Sequence, residues 1–219
     1  MSVQLHIIEE TADWIAVDKP AGIQVERNPF GHSVESLVYA HLQQAARNPY
    51  VGIVHRLDRV TTGVVLVAKR KQVLRELNQQ FSQKDIRKAY RARVIGVPEQ
   101  LEGVLSHWLI KDLKGKRAVA AEEGAAGAKL CEMGYRLIAE APEGQAVLEL
   151  YPTTGRYHQL RAQLSAVGLP IVGDTHYGGP AWEETAIMLQ ASALEFFDKA
   201  RGERHTVEAP LPKWAGKGQ

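Results

Sequence analysis

The feature that most narrows what this chain can fold into is an uncharged apolar run, Gly63-Val64-Val65-Leu66-Val67-Ala68. It stands directly behind a segment crowded with polar groups, His55-Arg56-Leu57-Asp58-Arg59-Val60-Thr61-Thr62. A short run rich in β-branched residues reads as a buried strand, so the loop ahead of it is anchored near the core. Asp58 then lies between opposed influences: burial favours its neutral form, whereas Arg56 and Arg59 favour the ionised one. A carboxylate balanced in that way suits nucleophilic or acid–base chemistry. The plainer reading is an Asp–Arg pair that only holds the loop.

The neighbouring pattern supplies the frame. Alternation at residues 4–8 and 14–17 predicts two short strands, closed by a turn at Lys19-Pro20-Ala21-Gly22. Ser33 can cap a helix carrying Val34, Leu37, Val38, Leu42 and Ala45, and Val73, Leu74, Leu77 and Phe81 mark one face of a second. Tyr90, Ala92 and Val94 alternate with Arg91 and Arg93, giving a strand with one apolar and one basic face. Further strands are expected at 104–110, 117–121, 130–138, 146–151 and 187–197, with Gly124-Ala125-Ala126-Gly127 as a hairpin connection. Gly155 precedes a helical pattern of Leu160, Leu164 and Val167 that Gly168 and Pro170 stop. Runs of strands with a few helices between them argue for an α+β (mixed α/β) chain. Its 219 residues are read as one domain, 1–219.

Several function classes drop out. The chain has no P-loop and no GxGxxG fingerprint. Cys131 is the one cysteine, and the eight histidines are scattered without HExxH spacing, so neither metal nor cofactor is expected. The apolar runs are too short for a membrane span and the first residues lack a secretory pattern, which makes the cytoplasm the default location. A net charge of +2 announces no polyanion partner, but the distribution of charge says more. Lys69, Arg70, Lys71, Arg75, Lys84, Arg87, Lys88, Arg91 and Arg93 face only Glu76 and Asp85 over that stretch. Such a stripe fits a phosphate backbone or, more plainly, a solvated face.

Two more groups of residues carry candidate chemistry. In Thr154-Gly155-Arg156-Tyr157-His158-Gln159-Leu160-Arg161, helical spacing puts His158 and Arg161 on one face and Leu160 and Leu164 on another, directed to the core. Capping with solvated charges is the plainer alternative. In Pro170-Ile171-Val172-Gly173-Asp174-Thr175-His176-Tyr177-Gly178, turn glycines bracket an Asp and a Tyr, and most of it reads as a tight structural turn.

Taken in order, HRLDRVTTG at 55–63, KAYRARVIG at 88–96, TGRYHQLRAQL at 154–164 and PIVGDTHYG at 170–178 resemble the motifs of the RluA-type RNA pseudouridine synthase family. VDKPAG at 17–22 is similar to that family's first motif. The resemblance implies a catalytic fold with a bent, mixed β-sheet flanked by helices and loops. It implies isomerisation of uridines in tRNA or rRNA by a monomer that needs neither DNA, membrane nor cofactor. Asp58 becomes the essential carboxylate, Tyr90 the residue against the target base, and Arg161 the partner of Asp58. Arg56 falls where a side chain enters the vacated base position, and His55, Thr62, Lys88, Arg91, Arg156 and His158 become candidate substrate contacts. Some 14 residues precede the first motif, so the S4-type RNA-binding domain of some relatives is expected to be absent. The chain departs from the family pattern at Thr62 for serine, at Gln163 and Gln190 for histidines, and at Glu26-Arg27 for a frequent His-Pro pair. Rival readings are an RNA-binding protein of this fold that has lost catalysis, and a small-molecule hydrolase pairing Asp58 with His55 or His158.

Overall fold

In a computed structural model, which describes residues 4–216, the strands are β1 (His6–Glu10), β2 (Trp14–Lys19), β3 (Gly52–Ile53), β4 (Thr62–Ala68), β5 (Arg87–Ile95), β6 (Glu102–Asp112), β7 (Arg117–Ala121), β8 (Lys129–Ala141), β9 (Gln145–Pro152), β10 (Leu189–Asp198) and β11 (Glu203–Glu208). The helices are α1 (Val34–Leu42), α2 (Lys71–Ser82) and α3 (Gln159–Ala166), with short 3-10 turns at Thr175–Tyr177 and Lys213–Ala215. The chain divides into two compact units. One holds the chain up to Lys88 together with Gln190–Pro210, and the other holds Ala89–Leu189 and the chain from Leu211.

In the first unit β4 is central. It pairs antiparallel with β2, from Trp14 opposite Ala68 to Lys19 opposite Gly63, and parallel with β10 at Thr62 and Gly63. The lack of charge in β4 follows from what covers it. Val64, Leu66 and Ala68 join Trp14, Ala16, Phe196 and the Leu77 side of α2. Val65 and Val67, pointing the other way, join Ile15, Val17 and the Val34 and Val38 side of α1. Both faces are buried, so no position in the run tolerates a charge. Ser33 starts α1 with a reciprocal capping pair: its Oγ accepts from the Ser36 amide, and its own amide donates to Ser36 Oγ. Gly63 has φ +108° and lies against β10, where a Cβ would sit 2.2 Å from the Ala191 carbonyl oxygen. No other residue fits the end of the Asp58 segment.

The second unit is antiparallel, in the order β5-β9-β8-β6-β7, with α3 packed on β6 and β7. β6 lies between β7 and β8, so residues 122–128 carry the chain past β6 and do not form the hairpin expected from Gly124–Gly127. The expected strands and helices otherwise appear with shifted ends, as at β1, which starts at His6 where alternation pointed to residue 4. β11 was not legible. Its sequence ERHTVE has one buried apolar residue, Val207, and it is held by ladder bonds to β10.

Candidate active site

In the first unit Asp58 sits in the loop between β3 and β4, in a turn closed by the Thr61 amide donating to the Asp58 carbonyl at 3.1 Å. The turn is built around Lys19. That lysine is fully buried, and its Nζ donates to the carbonyls of Pro20 (2.9 Å), Arg59 (3.2 Å) and Thr61 (2.7 Å). Its three N–H bonds are thereby matched to three main-chain acceptors, two of them flanking the Asp58 turn. Burial pushes the Lys19 pKa down to about 8 against the opposing pull of Asp58, so it remains an ammonium at neutral pH. Arg59 adds a second tie: its Nε donates to the Gly22 carbonyl at 2.9 Å, while the Gly22 amide donates to the Arg59 carbonyl at 2.8 Å.

His55 faces inward. The Leu66 amide of β4 donates to its Nε2 at 3.0 Å, and its ring stacks on Phe81 of α2 with centroids 5.3 Å apart. Burial, and after it the charge of Lys88, pushes its pKa down to about 4. His55 is therefore neutral, with one nitrogen already accepting, and it positions the loop; this removes it from proton transfer at Asp58 in the hydrolase reading. Arg56 faces out and meets Glu26 at 2.8 Å, which gives the Glu26 departure from the family pattern a structural use. Arg27 beside it donates its amide to Glu35 at 2.8 Å and lies over the Tyr39 ring. Thr62 opens β4, half-buried.

In the second unit the TGRYHQ segment closes on itself through Gln159. Its Oε1 accepts from Thr154 Oγ1 (2.8 Å) and from the Arg156 amide (3.0 Å), while its Nε2 donates to the Glu132 carbonyl (3.1 Å). The Glu132 amide returns a bond to Thr154 Oγ1 at 3.0 Å. The five-residue spacing of Thr and Gln thus staples the turn to β8. Helix α3 begins only at Gln159, because His158 adopts a left-handed conformation with φ 49°. The helical face expected to join His158 to Arg161 therefore does not form. His158 is placed by its stack on Tyr157, at 3.8 Å, and by Tyr177, whose hydroxyl lies 3.1 Å from His158 Nδ1. Burial raises the Tyr177 pKa to about 12 and its oxygen already accepts from the Ala118 amide at 2.7 Å.

Arg161 is buried at 6% exposure, where helical spacing had directed it away from the core. Its Nε and Nη2 donate to the two oxygens of Asp174 at 2.6 and 2.8 Å, and its guanidinium lies 4.9 Å from the centre of the Tyr177 ring. A forked pair of this kind fixes the plane of the guanidinium as well as its charge. Asp174 and Tyr177 belong to the segment read as a plain turn, so the turn is the seat of Arg161. On β5, alternation sets Tyr90 and Arg91 on opposite faces. Arg91 stands across from Glu149 of β9, whose pKa it helps to lower after the hydrogen bonds from Tyr151 and Arg136 have countered burial. Arg156 is exposed and Lys88 half-buried.

The basic stripe is partly spent inside the fold: Lys69 pairs with Glu10, Arg70 with Asp13 and Arg87 with Glu195, while Arg93 donates to Gln145. Gln163 and Gln190, in the histidine places, donate to carbonyls, of Leu105 and Cys131 and of Pro210 respectively. Among the described residues no three His, Cys, Asp or Glu side chains gather as a metal group. None of their helices is long and apolar enough to cross a membrane.

A mixed sheet of this topology with an anchored Asp turn defines a class, and comparison with known proteins gives it. The sequence profile of the RNA pseudouridylate synthase family matches residues 13–166, and the chain belongs to that family. Within it the chain is of the RluA type and is an isomerase that converts uridine to pseudouridine in RNA. It is 38% identical over 210 residues to the dual-specificity RNA pseudouridine synthase RluA of Escherichia coli, covering 94% of this chain and 93% of that one. An uncharacterised RNA pseudouridine synthase of Zymomonas mobilis is also 38% identical over 210 residues, covering 92% and 91%. Ribosomal large subunit pseudouridine synthase D of Pseudomonas aeruginosa is 32% identical over 230 residues, covering 96% of this chain and 69% of its own. The fold matches human RNA pseudouridylate synthase domain containing 4 with a TM-score of 0.80 at 20% identity, over 96% of this chain and 90% of that one.

Proposed function

We propose that the chain acts on uridines in structured tRNA or rRNA as a monomeric, cytoplasmic, single catalytic domain, with Asp58 as its catalytic carboxylate. The observation that carries this reading is how Asp58 is held. A fully buried ammonium, Lys19, grips the carbonyls of Arg59 and Thr61, and the Thr61 amide closes the turn on Asp58. A turn fixed through its own backbone sets the direction in which the Asp58 side chain is presented. The reaction breaks the bond from ribose C1′ to uracil N1, joins C1′ to C5, releases the C5 hydrogen as a proton and leaves N1 protonated. A carboxylate serves either as the covalent nucleophile or as the base that takes that proton.

Tyr90 is assigned to the same reaction, its ring for stacking on the base and its hydroxyl for moving a proton late in the sequence. Arg161 is assigned to it as a guanidinium pre-set by Asp174. Arg56 is placed in the gap left when the uridine leaves its stack, an event that costs a few kcal/mol and least in loops. Lys88, Thr62, Arg156 and His158 are assigned to the RNA around the target; Arg91 would reach it only from the other face of β5. Relatives named for both large-subunit ribosomal RNA and dual-specificity RNA modification support tRNA or rRNA as the substrate class.

The test is direct. Unmodified tRNA and rRNA transcripts incubated with the protein are mapped for pseudouridine at each uridine. New pseudouridines at a few defined positions are expected. Tight RNA binding with no modification would leave an RNA-binding protein of this fold and end the catalytic reading.

A further inference from the structure

One aromatic side chain contributes nothing to the folded core. Phe30 is 95% exposed. Large apolar side chains turned fully to water are informative when something holds them there, and here the backbone does. The Phe30 amide donates to Asn28 Oδ1 at 2.8 Å, Asn28 and Gly31 form a bridge across the tip, and Pro29 restricts the turn between them. The base of the loop is tied at Arg27 by the bond from its amide to Glu35, and where Gln24 bridges to Ser33.

The same loop is fastened to the Asp58 segment. Glu26 holds Arg56 at 2.8 Å, and Gly22 exchanges two hydrogen bonds with Arg59. Phe30 lies four residues beyond Glu26, so chain reach keeps it within ~14 Å of that residue. We propose that Phe30 is a stacking platform for an unpaired base of the RNA, a few nucleotides from the target uridine, and helps to choose which uridines are modified. The inference rests on the pseudouridine synthase reading above.

Chemistry selects a base over a protein partner. The flanking residues Glu26, Arg27, Pro29, Gly31 and His32 are exposed and, proline apart, not apolar, so Phe30 is a lone ring and not the centre of a patch. A stable protein interface buries ~1,200–2,000 Å² around a cluster of such anchors. A single aromatic face, by contrast, is a whole binding unit for a nucleobase, whose π-surface accepts it regardless of sequence. Arg27 and His32 beside it suit the phosphates on either side.

The experiment measures binding and initial rates of Phe30→Ala, Phe30→Leu and Phe30→Trp on unmodified tRNA and rRNA transcripts, the rate read as tritium released from C5-labelled uridines. Because the ring is exposed, all three variants should melt like wild type. Stacking predicts that Ala weakens RNA affinity by about 5- to 150-fold, that Leu does nearly as badly, and that Trp equals or exceeds Phe. The loss should fall on KM far more than on kcat, and on some modified uridines more than others. A wild-type protein that modifies RNA beside an Ala variant within about twofold of it would overturn the inference alone. Leu matching Phe would also overturn it, since plain apolar contact would then suffice. A wild-type protein that neither binds nor modifies these RNAs would remove the functional reading and the inference with it.

Discussion

Lys19 in the first unit and Arg161 in the second are both buried cations that fix a functional segment, yet they are matched in opposite ways. Lys19 is satisfied by three main-chain carbonyls, those of Pro20, Arg59 and Thr61. Arg161 is held by a forked ion pair with a carboxylate, Asp174, itself only 2% exposed. The first arrangement spreads a charge over neutral dipoles that are part of the turn being held. The second sets it against a buried carboxylate, and removing either partner is costly. The Asp58 turn should therefore lose alignment before it loses fold, while the Arg161 seat should fail by unfolding.

The largest effect on stability is expected from Asp174→Asn, which removes the charge facing a buried guanidinium and should cost ~3–5 kcal/mol in urea unfolding. Removing both charges, as Arg161→Met with Asp174→Leu, should recover part of that loss. A single-variant cost under about 1 kcal/mol, the range of an exposed pair, would break the contrast. Lys19→Met should cost less, ~1–3 kcal/mol for carbonyls left without donors. Under conditions where the variant is fully folded, its single-turnover rate should still fall by on the order of 10–100-fold, as expected of a misplaced reacting group. Unchanged turnover would mean that Lys19 only stabilises.

A smaller effect follows from His55, which reports on the same loop through pH. Its pKa is depressed to about 4 by burial from an ordinary 6.5. Between those values the unfolded chain binds a proton that the native one does not, so His55 contributes stability that is full above 6.5 and is lost as pH falls toward 4. His55→Gln, which keeps an acceptor for the Leu66 amide, should flatten the dependence of the urea midpoint on pH across that window. The same slope in both proteins would show that His55 does not carry it. Smallest of all is Glu26→Gln. It breaks an exposed pair with Arg56 and should change stability by no more than ~0.5 kcal/mol, so a large loss would mean that the Phe30 loop is part of the cooperative fold.

The sequence made the first unit's sheet easy to read because β4 is buried on both faces, and a strand with that fate cannot hide its pattern. Helices α1 and α2 were equally plain, one by its serine cap and both by their apolar spacing. β11 was opaque because an edge strand with one buried residue carries almost no period. The motifs located Asp58 and Arg161 but not what holds them. Lys19, Gln159, Asp174 and Tyr177 stood within those motifs, yet most of their partners lie on other segments that no local spacing announces. His158 misled for a related reason: three-residue spacing implies a shared face only inside a helix, and its left-handed backbone places it just outside α3.

The central claim is that the Asp58 carboxylate does the chemistry while the surrounding turn only presents it, and Asp58→Asn separates the two. The substitution keeps size and shape and removes the charge. On tRNA and rRNA transcripts that the wild type modifies, the variant should bind with similar affinity and melt at a similar temperature, yet form no pseudouridine under single-turnover conditions. Pseudouridine formation within about tenfold of the wild-type rate would show that Asp58 is not the catalytic group and would contradict the account.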